Sequence, residues 1–253
     1  MKKSMLNRIS SWIKNIGGSR QYYIDESIKN PVDKVLDIGC SYGWTLGRLT
    51  GKANELWGID TDKSALHQAK EAYPHIRFID QTAAILPFES NMFDVVILSE
   101  VIEHVGDENK KLVVDESWRV LKDGGLFIFT APYDGLFAWA DPLDFKRRFP
   151  TLYQIYMSIS KYTPDTPIEV GHKHLYLDEI NQLFDDRFQL EEIIYCGLFM
   201  PFINWILTVG GRLKLLPVSF MDELNRLQAW ESGVPYPRFL AFNIRIKAYK
   251  KTR

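Results

Sequence analysis

Two stretches of this chain hold residues whose types and spacing could do chemistry. The first is Val35-Leu-Asp-Ile-Gly-Cys-Ser-Tyr-Gly43, an apolar run that ends at one glycine and reaches a second four positions later. Glycine after a strand lets the backbone approach a ligand closely, and a helix start behind it favours negative charge. Such a turn suits a pyrophosphate or an amino-acid carboxylate. The dinucleotide fingerprint needs G-x-G-x-x-G. Here Cys40, Ser41 and Tyr42 separate Gly39 from Gly43, so that fingerprint is absent. Asp60 closes the next expected strand, where a carboxylate can accept hydrogen bonds from both hydroxyls of a ribose. Turn and carboxylate together indicate a nucleoside-containing ligand and nothing narrower.

The second stretch is Ser99-Glu-Val-Ile-Glu-His104. If a helix begins near Glu100, then Glu100, Glu103 and His104 share one face at i, i+3 and i+4. Two carboxylates and an imidazole could converge there on a divalent ion, Mg²⁺ or Mn²⁺, which would lower the pKa of an attacking hydroxyl. Glu100 or His104 could instead act as the general base without a metal. The plainer reading, and the favoured one, is a Glu–His pair that packs and hydrogen-bonds locally.

The elements that must position these groups follow from the apolar pattern. Strands are expected over Lys34–Ile38, Glu55–Asp60, Ile76–Asp80, Phe93–Ser99 and Leu126–Thr130. Helices are expected over Tyr42–Thr50, from an Asp62 cap to Glu71, and from Asp107 to Leu121, with Lys122-Asp-Gly-Gly125 as a turn. This alternation implies a parallel sheet covered on both faces, with right-handed crossovers. Further on, Asp178–Phe184 reads as a short helix, and Gln189–Tyr195 and Phe239–Lys250 as strands. An apolar segment, Leu198–Leu216, and a more polar helix near Met221–Glu231 lie between those strands. Ile193–Gly211 approaches the length of a membrane span, but Pro201, Asn204 and Gly210-Gly211 interrupt it, which favours a helix inserted before the last strand.

Composition bounds the remaining options. The chain has 253 residues, 46% hydrophobic and 25% charged, ordinary for a globular protein with one large domain. A net charge of −1 sets up no global field for nucleic acid. Cys40 and Cys196 have no metal-type spacing, which fits a reduced, cytoplasmic protein. Lys2, Lys3, Arg8, Lys14 and Arg20 accompany Met5, Leu6, Ile9, Trp12, Ile13 and Ile16, which recur at helical spacing, as a basic amphipathic helix. It would pack over the domain or dock on an anionic membrane surface; packing is favoured.

Several motifs then stand in one order: Asp37 before Gly39, Leu86-Pro-Phe88 before Phe93-Asp-Val-Val96, Ser99 to His104, and Leu121-Lys-Asp-Gly-Gly125. From Asp33 to Pro132 the series resembles the class I S-adenosylmethionine-dependent methyltransferases, especially the type 11 group of ubiquinone-biosynthesis-like enzymes. The resemblance implies an α/β, Rossmann-like, seven-stranded and mostly parallel sheet of order 3-2-1-4-5-7-6, its last strand antiparallel, with helices on both faces. It implies that Gly39, Cys40, Gly43 and neighbouring backbone hold the methionine part of S-adenosylmethionine and that Asp37 orients that end. Asp60 would hold the ribose, and Ser99 and Glu100 would border the sulfonium. The family often has an acid facing the adenine amine where this chain has Thr82; Asp80 stands two residues earlier, so adenine could rest on Thr82, Asp80 or backbone alone. Glu100-x-x-Glu103-His104 also resembles the metal site of small-RNA 2′-O-methyltransferases, whose further histidine would be His172 here, or His174.

The resulting layout is an N-terminal helical segment over residues 1–30 and a methyltransferase domain over 31–253, elaborated at 133–175 and 198–235. The expected reaction is O-methylation of a small-molecule, lipid-linked or glycan-type acceptor. The acceptor would lie over the carboxyl ends of the strands, near Asp141, Asp144, Arg147, Arg148 and the apolar insertion, with peripheral membrane contact through Phe199, Phe202, Trp205, Ile206 and Leu207 as a further option. The alternatives are a metal-assisted RNA 2′-O-methyltransferase and a non-catalytic cofactor-binding module. An NAD-dependent dehydrogenase is the poorest fit. Oligomeric state is open.

Overall fold

The computed structural model describes residues 19–140, 149–152, 154–155, 173–212 and 216–252. The expected N-terminal amphipathic helix, the Asp141–Arg148 cluster and His172 lie outside these residues. A seven-stranded sheet runs in the order β3-β2-β1-β4-β5-β7-β6, with one strand antiparallel. Its strands are β1 (Val32–Ile38), β2 (Ala53–Asp60), β3 (Arg77–Asp80), β4 (Phe93–Ser99), β5 (Leu121–Pro132), β6 (Phe188–Cys196) and β7 (Asn243–Lys250). The helices are α1 (Arg20–Ser27), α2 (Trp44–Arg48), α3 (Lys63–Ala72), α4 (Asp107–Val120), α5 (Leu177–Leu183), α6 (Met200–Arg212) and α7 (Val218–Glu231).

The chain divides into two compact units. One comprises Ile24–Ala131, Leu175–Ile193 and Arg245–Arg253 and carries both chemical stretches. In β1, Val35, Leu36, Asp37 and Ile38 are all buried, and in β4 so are Val95 to Leu98. Unbroken burial without alternation is what a parallel strand covered on both faces shows. β1 pairs in parallel with β2 on one side and with β4 on the other, and β4 pairs in parallel with β5. This places the carboxyl ends of β2, β1, β4 and β5 side by side, and with them Asp60, Gly39, Ser99 and Thr130. Phe127 and Phe129 of β5 and Phe188 of β6 make one aromatic cluster with Phe184, with ring centroids 5.2–6.3 Å apart.

One local rule holds as expected and one does not. The Asp62 carboxylate caps α3 by accepting from the Ser64 and Ala65 amides at 2.8 and 3.0 Å. The expected Lys122–Gly125 turn is instead taken up into β5, which already begins at Leu121. Phe93 pairs with Leu121 and Val95 with Leu126, so the intervening residues of β5 bulge out, with Gly124 at φ +73°.

The other unit comprises Met1–Tyr23, Pro132–His174 and Ile194–Ile244. Its apolar insertion begins as α6, at whose start Glu231, from the end of α7, accepts hydrogen bonds from the Leu198 and Phe199 amides. The carboxylate satisfies backbone donors that open the helix, at the cost of burial, which pushes its pKa up. Ile193 to Cys196 belong to β6, which runs one residue past the expected strand end at Tyr195. Among the described residues no helix is long and apolar enough to cross a membrane. The last strand starts later than expected, because Arg238–Leu240 form a 3-10 turn before Asn243.

Candidate active site

The glycine turn is built from backbone hydrogen bonds. The Gly39 and Cys40 amides both donate to the Ile59 carbonyl, at 2.8 and 3.0 Å, and the Gly43 amide donates to the Cys40 carbonyl at 2.8 Å. These bonds tie the end of β1 to the end of β2. The glycines supply space and conformation. Gly39 has φ +74°, and a Cβ there would stand 2.3 Å from Val101 Cγ2. Gly43 has the same φ, and a Cβ there would meet the Phe78 ring at 2.7 Å. An L side chain is disfavoured at both positions twice over, by dihedral and by contact.

Asp60 is the hub of this turn. One carboxylate oxygen accepts from the Ser41 amide at 2.7 Å and the other from the Asp62 amide at 2.9 Å. A carboxylate oxygen has two acceptor positions, so each keeps one for a further donor. Two such positions on one fixed carboxylate match the two hydroxyls of a ribose. Ser41 takes φ +47° to reach Asp60. Its role was not legible in the sequence, because only the fold brings the two strand ends together.

Asp37 is 2% exposed, beneath the turn. Cys40 is buried too. Burial pushes its thiol well above the usual range, reinforced by the charges of Asp37 and Asp60. It stays protonated and unreactive, a small side chain filling the turn. Thr82 is exposed, and its hydroxyl stands 3.5 Å from the Ala84 amide. Asp80 is paired with Lys63 at 3.2 Å. The Leu86-Pro-Phe88 motif that follows is held from α4. Glu116 accepts from the Leu86 amide at 2.7 Å, and Arg119 donates to the Phe88 and Leu86 carbonyls at 2.7 and 3.0 Å. Glu116 and Arg119 also pair with each other, which holds the Glu116 carboxyl below its usual range. Phe88 packs edge-on against Trp57 and Phe93.

The second stretch departs from expectation. No helix begins at Glu100, which takes φ +56°; only Ile102–His104 form a single 3-10 turn. The three groups therefore do not share a helical face. The Glu100 carboxylate accepts from the Thr130 hydroxyl at 2.9 Å, and its amide donates to the Thr130 carbonyl at 2.9 Å. Glu103 is buried, with the half-exposed His104 Nε2 at 3.8 Å from its Oε1. Among the described residues no group of three His, Cys, Asp or Glu side chains could hold a metal ion. The alternative in which Glu100, Glu103 and His104 converge on an ion thus finds no such geometry among the described residues, and its fourth member, His172, lies outside them. His174, the alternative fourth ligand, is 1% exposed. Its Nδ1 donates to the Tyr133 carbonyl at 3.1 Å and its ring meets Phe242 edge-on. It is a satisfied core histidine.

Thr130 was not singled out in the sequence. It is 1% exposed and lies opposite Ser99 in the β4–β5 register. The Ser99 and Thr130 hydroxyls are 2.9 Å apart. Thr130 gives its only hydroxyl proton to the Glu100 carboxylate, so Ser99 must donate to Thr130. The result is a directional chain, Ser99 to Thr130 to Glu100.

The sheet order β3-β2-β1-β4-β5-β7-β6, with one strand antiparallel, is the Rossmann-like fold of the class I methyltransferases. Residues 36–129 match the family described as "Methyltransferase domain", type 11. Over this segment the chain is similar to the class I S-adenosylmethionine-dependent methyltransferase domains of the type 11 group. The chain is 27% identical over 212 residues to a Mycobacterium tuberculosis protein named "Probable S-adenosylmethionine-dependent methyltransferase". That match covers 83% of this chain and 65% of the relative, so the chain spans just under two thirds of that relative's length. Over 102 residues it is 34% identical to the ubiquinone/menaquinone biosynthesis C-methyltransferase of Campylobacter jejuni, covering 38% of this chain and 43% of the relative. Among solved structures, a [4+2]-cyclase superposes with a TM-score of 0.60 at 14% identity, covering 92% of this chain and 80% of that one. That likeness shows the fold alone.

Proposed function

We propose that the chain is an S-adenosylmethionine-dependent methyltransferase that methylates a hydroxyl of a small-molecule, lipid-linked or glycan-type acceptor. The observation that carries this reading is the Asp60 carboxylate, held by two backbone amides and still offering an acceptor position on each oxygen. A nucleoside cofactor fits that donor–acceptor set, and the acceptor chain at Ser99 and Glu100 suits the cationic end of the same molecule. When bound, the cofactor supplies an electrophilic methyl group. The protein's part is alignment and, for a hydroxyl acceptor, proton removal. Glu100, fixed at two points by Thr130, is the candidate base; His104, on the 3-10 turn, is the second. Asp37, Gly39, Cys40 and Gly43 shape the methionine end, and Thr82 stands by the loop on the adenine side.

The lipid-linked reading draws on the second unit taken by itself. There Phe199, Ile206, Val218, Phe220, Leu227 and Phe239 are exposed among the described residues, Val218 to 78% and Phe239 to 65%. A contiguous apolar patch on a protein surface is a common mark of an interaction site. These side chains support a lipid-linked acceptor and peripheral contact with a membrane. The test is transfer of label from methyl-tritiated S-adenosylmethionine to a bacterial lipid extract supplied as vesicles. Counts are expected in the organic phase, suppressed by S-adenosylhomocysteine. Transfer confined to water-soluble acceptors would remove the lipid-linked class.

A further inference from the structure

The position of the Ser99–Thr130–Glu100 chain follows from the sheet. Ile38 pairs with Leu98, so the end of β1 and the tip of β4 are neighbours. Val101 touches the space where a Gly39 side chain would be. Ser99 and Glu100 thus lie between the glycine turn and the tip of β5.

Hydrogen-bond polarity adds a second constraint. The proton of Ser99 is spent on Thr130 and that of Thr130 on Glu100. The chain therefore offers acceptor atoms, the serine oxygen and the carboxylate, and no donor proton of its own. Its direction is imposed by Thr130, which is buried and cannot exchange these partners for water. Glu100 is held in a left-handed backbone conformation that is costly for a residue with a side chain, and the Thr130 carbonyl and hydroxyl both bind it there.

We infer that Thr130 sets a charge preference: by aligning Ser99 and Glu100 as acceptors, it makes the site hold a cationic sulfonium cofactor in preference to the neutral thioether left after transfer. The inference rests on the proposed function and deepens it. S-adenosylmethionine and S-adenosylhomocysteine share the nucleoside and the amino acid and differ by one methyl group and one positive charge. The ratio of their affinities isolates the groups that face the sulfur. A site with this preference releases its product more readily than a site that reads only the nucleoside. Thr130 is a positioning residue in this scheme, since it acts through Glu100 and Ser99.

The test is calorimetric titration of the full chain with each ligand at neutral pH, which needs no acceptor. Thr130→Val is expected to shift the affinity ratio by roughly fivefold against S-adenosylmethionine, the scale of one fixed charge several ångströms away in a partly solvated site. Thr130→Ser keeps the hydroxyl and is expected to keep the wild-type ratio. Glu100→Gln is expected to reproduce the Thr130→Val shift, and it decides the matter should Thr130→Val fail to fold. S-adenosylhomocysteine affinity is expected to stay within about twofold throughout, because the thioether does not engage the charge. An unchanged ratio in Glu100→Gln or in folded Thr130→Val overturns the inference. So does a parallel loss of both affinities, which would mark Thr130 as merely structural. If the wild-type chain binds neither ligand, the proposed function itself fails, an outcome distinct from a wild type that binds both without a variant-dependent ratio.

Discussion

Replacing Asp60 by alanine is expected to weaken S-adenosylhomocysteine binding by about 100-fold or more, since hydrogen bonds to a charged group contribute ~1.5–3 kcal/mol each. Two effects combine. The ribose hydroxyls lose their acceptor, and the Ser41 and Asp62 amides lose the carboxylate that sets the turn. Asp60→Asn keeps one oxygen acceptor and is expected to lose less. The fold should survive both changes. The cap of α3 comes from Asp62, and the Ile59 carbonyl still binds the Gly39 and Cys40 amides. Calorimetry beside a circular dichroism melt separates the two effects. A loss below threefold in a folded Asp60→Ala protein would remove Asp60 from the ligand site.

Gly39→Ala is expected to cost ~2–4 kcal/mol of stability, from a left-handed backbone that alanine resists and from an overpacked contact. The contact is specific: the added carbon would lie 2.3 Å from Val101 Cγ2. Val101→Ala removes that obstruction and leaves the dihedral cost. The double variant should therefore recover the steric part and remain below Val101→Ala by ~1–2 kcal/mol, the cost of the left-handed conformation. Urea unfolding of the four proteins measures the cycle. Additive losses would show that Gly39 and Val101 do not meet and that the tip of β4 lies away from the turn.

These sites differ in how far the sequence discloses them. The Gly39–Gly43 turn, Asp60 and the Asp62 cap obey short-range rules, since strand ends, turns and caps are decided within a few residues. The strands of the first unit were legible for a similar reason: a contiguous apolar run bounded by turn residues has few other solutions in an α/β chain. Glu100 to His104 was misread because spacing alone allowed a helix. The conformation there is decided by Thr130, thirty positions later in sequence, whose carbonyl and hydroxyl hold Glu100. The same applies to Leu86-Pro-Phe88, which is fixed by Glu116 and Arg119 on α4. An i, i+3 Glu–Arg pair on a helix reads as a solvated ion pair until the loop it grips is known. His174 looked like a possible ligand and is a buried, hydrogen-bonded core residue, a distinction that only packing makes.

The most direct measurement is a titration of the purified chain with S-adenosylmethionine, S-adenosylhomocysteine and NAD, repeated on Asp60→Ala. One site per chain is expected for the first two ligands, lost in the variant, with no heat from NAD. Absence of S-adenosylmethionine binding, binding untouched by Asp60→Ala, or tight NAD binding would contradict the methyl-donor site described above.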